Sequence, residues 1–164
     1  ITSDLTSLDK PFLKRPRPPW EDSGALGNFN FNISHHGPWV VLVSDPLCIC
    51  GVDVASPDAV FSGFMVDIWA TAAEQDDAMQ ESTSKGSTYR QEHFQRLWTC
   101  KEALVKARGD GIRFDMSNCE FRLCEDPTVE PLPGAWRYTA KASIHGKPAL
   151  LWRIHQQRIE SDFW

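Results

Sequence analysis

The feature that most limits how this 164-residue chain can fold is a helical repeat spanning about residues 88–107. Phe94, Leu97, Leu104 and Val105 form its apolar stripe, and Gly109 supplies a stop just beyond it. Other elements must cover that stripe, and the flanking sequence predicts them. Thr71-Ala72-Ala73-Glu74 carries the threonine and glutamate of a capping box, so a second helix starts at Thr71, frays toward Ser82-Thr83-Ser84 and ends at Gly86. Ser56-Pro57-Asp58 offers an N-cap and a first-turn proline, followed at helical spacing by Val60, Phe61, Phe64, Met65 and Ile68.

The strands are predicted from β-branched apolar runs between turn residues. Residues 39–43 read as a buried strand between Gly37-Pro38 and Asp45-Pro46, and residues 48–54 as its antiparallel partner, which places Asp53 near that strand's exit. Residues 119–123, 136–144 and 148–154 are expected to form three further antiparallel strands. Pro11, Pro16, Pro18, Pro19, Gly24 and Gly27 argue that residues 11–28 are a surface loop. The fold class is α+β, with antiparallel strands packed on the long helix.

Composition removes several functions. With 17 basic and 22 acidic residues the net charge is -5, so no overall positive field draws in nucleic acid or an anionic membrane, and any phosphate recognition must be local. No run reaches the roughly 18 apolar residues of a membrane span, and the start lacks a signal-peptide pattern, so a soluble, cytoplasmic protein is expected. The five cysteines fit a reducing compartment and are read as small buried hydrophobes. Cys48 and Cys50 would share one face of a strand, yet no second Cys or His pair accompanies them as a zinc site requires.

Two acidic residues stand out. Glu102 forms an i,i+4 pattern with Lys106 that a solvated helix face explains, but Trp98, Ala103 and Val105 surround it with apolar neighbours. Asp53, inside Gly51-Val52-Asp53-Val54, is costly to bury without a partner, although solvation at a loop edge also accounts for it. Two carboxylates on a strand end and a helix suit magnesium, which takes few protein ligands, keeps waters and binds substrate phosphates. Ahead of them, Asn32-Ile33-Ser34-His35-His36-Gly37 offers a hydroxyl, an imidazole and backbone amides to phosphate oxygens, or is a turn with solvated histidines.

Three blocks in this order, Phe29-Asn30-Phe31-Asn32-Ile33-Ser34-His35, Gly51-Val52-Asp53 and Trp98-Thr99-Cys100-Lys101-Glu102-Ala103-Leu104-Val105-Lys106, resemble the 4'-phosphopantetheinyl transferases. The likeness is to the large two-lobed members, the eukaryotic aminoadipate type among them. Lys10-Pro11-Phe12-Leu13 is similar to the Gly-Lys-Pro segment of that family, with Asp9 in place of the glycine. The resemblance implies transfer of the 4'-phosphopantetheine group from coenzyme A to a serine of an apo acyl or peptidyl carrier protein, as in a holo-acyl-carrier-protein synthase. It also implies Mg²⁺ on Asp53 and Glu102, catalytic roles for Glu102 and Lys106, and contacts to coenzyme A from Lys10, Asn32, Ser34 and His35.

The same resemblance divides the chain into residues 1–46, a remnant of the N-terminal half with a coenzyme A-binding loop, and residues 47–164, the C-terminal half. Most of the first pseudo-symmetric half is expected to be absent, because only a short segment starting at Ile1 precedes the Lys-Pro motif. Ala55 stands where shorter bacterial members carry a glutamate, which leaves that coordination position to water. A monomer is expected. The alternatives are a truncated relative that only binds carrier protein or coenzyme A, and a magnesium-dependent phosphohydrolase acting on water.

Overall fold

The computed structural model describes residues 2–5, 11–14, 30–56, 63–129, 137–159 and 163–164. They divide into two units, Ile1–Val54 with Glu102–Phe114 and Ala55–Lys101 with Asp115–Trp164.

In the first unit, β1 (Thr2–Leu5) pairs antiparallel with β2 (Pro11–Lys14), and β3 (Asn30–His36) with β4 (Trp39–Asp45). The β3–β4 connection is only Gly37-Pro38; Gly37 takes a φ of 55°, the left-handed first turn position that suits a tight hairpin, while proline fixes the second. Two expectations fail here. Pro11–Lys14 is a strand, because a proline at the first position of an edge strand removes no ladder bond that must be made. Residues 49–56 are not a strand and do not pair with β4, whose partner is β3; at the end of the segment Ala55 exchanges backbone bonds with Trp164 instead.

The long helix is α3 (Ser87–Arg108), close to its expected span; its last residues, from Glu102, belong to the first unit. Gly109, at φ 80°, caps it by donating its N–H to the Val105 carbonyl at 2.8 Å. Leu104, Val105 and Ala107 are buried there with Val54.

The second unit holds α1 (Gly63–Trp69), α2 (Ala72–Lys85), the first part of α3 and a sheet of β5 (Cys119–Glu125), β6 (Tyr138–Ile144), β7 (Lys147–Pro148) and β8 (Ile154–Gln156). Of the helix expected over 60–68, the part before Gly63 lies outside the described residues. The capping box is present in both directions: the Thr71 hydroxyl accepts from Glu74 N–H, and Glu74 Oε2 accepts from Thr71 N–H at 2.8 Å. The third expected strand, 148–154, is instead two short strands that share one edge of β6, separated by turns at 149–152. Two such short strands leave little edge open to foreign pairing.

Trp69, Ala78, Phe94, Leu97, Cys119 and Phe121 make up much of this unit's core, with Trp69 edge-on to Phe94 and Trp98. Inside that core lies a charge pair. Lys101 and Glu74 are both fully buried, Nζ to Oε2 at 2.8 Å, and the same ammonium donates to the carbonyls of Trp69, Met116 and Cys119 at 2.7–2.9 Å.

The cysteines divide. Cys100 and Cys119 are buried, and burial pushes the Cys100 thiol up to about 12, so it behaves as an inert small hydrophobe. Cys48 is exposed, and Cys50 and Cys124 are half-buried, against the expectation that all are core; without a strand at 48–54 no sheet face takes the first two inward. All five are free thiols. Among the described residues, no helix is long and apolar enough to cross a membrane.

Candidate functional site

In the first unit β3 turns polar side chains inward, opposite half-buried Val41 and Val43 of β4. Along β3, Asn32 and Ser34 are buried while Ile33 is 49% exposed, and on β4 Val40 and Leu42 are more exposed still. A hairpin normally alternates apolar inward and polar outward. Here the inward polar side chains have partners: the Ser34 hydroxyl donates to Asp53 Oδ1 at 2.9 Å, and the Asn32 side-chain oxygen accepts the Val52 N–H at 2.9 Å.

Lys106 completes the cluster. Its ammonium donates to Ser34 Oγ at 2.9 Å and to Asp53 Oδ1 at 2.5 Å. The pairing expected from sequence, Glu102 with Lys106 along one helix face, is therefore not the ion pair Lys106 makes; the unpaired segment brings Asp53 within reach of the same ammonium.

That approach depends on Gly51. A Cβ at this position would fall on the Ala103 carbonyl oxygen of α3 and stand 2.5 Å from the Ala107 nitrogen, so only glycine lets the segment lie against the helix backbone.

Glu102, half-buried, has its carboxyl held above the ordinary range, first by burial and then by the negative charge of Asp53, with Lys106 pulling the other way. The donor set fits Mg²⁺: two hard carboxylate oxygens from the protein suffice for an ion that keeps waters and takes substrate oxygens. Among the described residues no group of three or more His, Cys, Asp or Glu side chains is arranged to hold a metal.

Of the other anticipated residues, His35 is exposed at the end of β3, and Lys10 lies outside the described residues. Ala55 is buried, and both its backbone groups are occupied: its N–H donates to Trp164 and its carbonyl accepts from Gln95. Sequence reasoning misses the use of Asn32 on the backbone, since nothing in residue spacing signals a side-chain bond to an unpaired segment. It also misses the burial of Lys101, for which the Thr71 and Glu74 capping box is a partial sign.

The sequence that builds this mixed helix and antiparallel-sheet fold is similar to that of known proteins. The family model of the 4'-phosphopantetheinyl transferase superfamily matches residues 49–154, and the chain belongs to that superfamily. It is 31% identical over 135 residues to a phosphopantetheinyl transferase of Thraustochytrium sp., covering 77% of this chain and 44% of that protein. It is 29% identical over 163 residues to the L-aminoadipate-semialdehyde dehydrogenase-phosphopantetheinyl transferase of Homo sapiens, covering 98% of this chain and 50% of that one. With the 4'-phosphopantetheinyl transferase psf-1 of Bacillus pumilus it shares 31% identity over 101 residues, 62% of this chain and 41% of the relative. The chain spans about half the length of the curated relatives it matches.

Proposed function

We propose that this chain carries the catalytic residues of a magnesium-dependent 4'-phosphopantetheinyl transferase of the holo-acyl-carrier-protein synthase type. It moves the 4'-phosphopantetheine group of coenzyme A onto a serine of an apo acyl or peptidyl carrier protein and releases adenosine 3',5'-bisphosphate. The observation that carries this reading is the cluster of Ser34, Asp53 and Lys106 beside a half-buried Glu102, in a chain of this superfamily.

Asp53 and Glu102 would hold Mg²⁺, which when bound offsets the negative charge on the phosphoryl oxygens. Glu102 accepts the proton of the carrier serine hydroxyl as that oxygen bonds to the β-phosphorus of coenzyme A. The bond from the β-phosphorus to the bridging oxygen breaks, and the electron pair leaves with adenosine 3',5'-bisphosphate. Lys106 presents a fixed positive charge to the departing phosphate, its direction set by Ser34 and Asp53. His35, exposed at the strand end, and Lys10 are assigned to binding the coenzyme.

The test mixes the chain, Mg²⁺, coenzyme A and an apo carrier protein and reads the carrier's mass. A phosphopantetheinyl adduct on the serine is expected. Binding of carrier or coenzyme without an adduct, under conditions where a full-length relative works, would support the binding-only alternative instead.

A further inference from the structure

Family resemblance groups Asn32 with the residues that contact coenzyme A, but its hydrogen bonding gives it a different role. We infer that Asn32 is a positioning residue, whose side-chain oxygen fixes the backbone that carries Asp53. The inference rests on the metal reading above.

Residues 49–54 belong to no strand, so the backbone beside Asp53 is not positioned by a sheet ladder among the described residues. Val52 N–H, immediately before Asp53, is satisfied by Asn32 Oδ1 at 2.9 Å instead. The donor is a backbone N–H, which identifies the Asn32 atom as the oxygen. Asn32 and Ser34 are two residues apart on the buried face of β3, so one strand grips the segment twice, Asn32 at the Val52 amide and Ser34 at the Asp53 carboxylate. Gly51 limits movement from the other side, where the segment lies on the backbone of Ala103 and Ala107. With Asn32 shortened, the Asp53 side chain keeps Ser34 and Lys106, but the backbone that carries it loses its tie to β3 at the Val52 amide.

This account separates two jobs by chemistry. Positioning uses only the oxygen of Asn32, whereas a contact to phosphate or pantetheine oxygens would use its N–H₂ group. Asn32→Asp keeps the first and removes the second; Asn32→Ala removes both.

The experiment measures amide hydrogen exchange at Val52 and Mg²⁺ affinity by calorimetry, in the parent chain and both variants, with coenzyme A affinity alongside. In Asn32→Ala the Val52 amide is expected to lose its protection while the core amides of Leu97 and Phe121 keep theirs. Mg²⁺ affinity is expected to fall about 10- to 100-fold, as for other residues that hold a metal ligand in place. Asn32→Asp is expected to restore the Val52 protection. Unchanged Val52 exchange in Asn32→Ala overturns the inference. So does a loss of coenzyme A affinity in both variants with Mg²⁺ affinity intact, which would make Asn32 a substrate contact. A parent chain that binds no Mg²⁺ contradicts the metal reading instead, and Val52 exchange still decides whether Asn32 holds the segment.

Discussion

Replacing Lys101 by methionine removes an ammonium that serves four acceptors at once while keeping a long apolar stem in place. Glu74 loses its cation at 2.8 Å and the carbonyls of Trp69, Met116 and Cys119 lose a donor, Glu74, Trp69 and Cys119 in a region closed to water and Met116 at its edge. Breaking a buried ion pair from one side costs about 3–5 kcal/mol. Small domains have about 5–15 kcal/mol in total, so Lys101→Met should bring the chain near the edge of folding. Burial already outweighs Lys101 in raising the Glu74 carboxyl, and without Lys101 it rises further. A carboxyl raised in the folded state takes up protons on folding, so Lys101→Met should recover stability as pH falls from about 7.5 toward about 5. Adding Glu74→Gln removes the stranded charge and should return at least about 1 kcal/mol. Urea denaturation followed by circular dichroism at both pH values measures all of this. A loss under about 1 kcal/mol for Lys101→Met, or a simple sum in the double variant, would refute the reasoning.

Gly51→Ala should cost about 1–3 kcal/mol or more, because the atoms its Cβ would strike, Ala103 O and Ala107 N, are helix backbone and cannot rotate away. Thermal unfolding checks the cost; a change within about 0.5 kcal/mol would mean that the segment does not lie on α3. His93 is buried, and burial holds its pKa below the ordinary 6.5 despite Glu81 Oε2 at 3.4 Å from Nδ1. The unfolded chain therefore takes up the proton first. Its contribution is complete above about pH 6.5 and is lost as pH falls through that value toward the lower folded one. His93→Phe should flatten that part of the stability curve, and an unchanged slope between about pH 7.5 and 5 would contradict the assignment.

The helices were legible because local signals decide them: the apolar repeat and Gly109 for α3, and Thr71 and Glu74 for α2. The strands after Ser117 were legible in part, since β-branched runs mark where sheet forms but not that Ala149 turns the chain out of β7. Residues 48–54 are as apolar as a strand and so suggest a hairpin partner for β4, whereas the pairing is decided by the Gly37-Pro38 turn joining β3 to β4. Residue chemistry singled out Asp53, Glu102 and the Asn32–Gly37 block, and the motif resemblance joined them with Lys106 into one proposed site. Their arrangement was not legible, because residues 32–37 read as a polar cluster or turn ahead of a strand, whereas Asn30–His36 is itself a strand that buries Asn32 and Ser34. Such an inward polar face costs apolar burial and is accounted for only by the polar contacts made to Val52 and Asp53.

The central claim is that Asp53 and Glu102 act together in phosphopantetheinyl transfer. Its most direct test measures transfer to an apo carrier by mass for the parent chain, Asp53→Ala and Glu102→Gln, with circular dichroism on each. The account expects an adduct with the parent and a loss of about 100-fold or more in each variant at unchanged ellipticity. No transfer by the parent chain, or near-normal turnover in either variant, would contradict it.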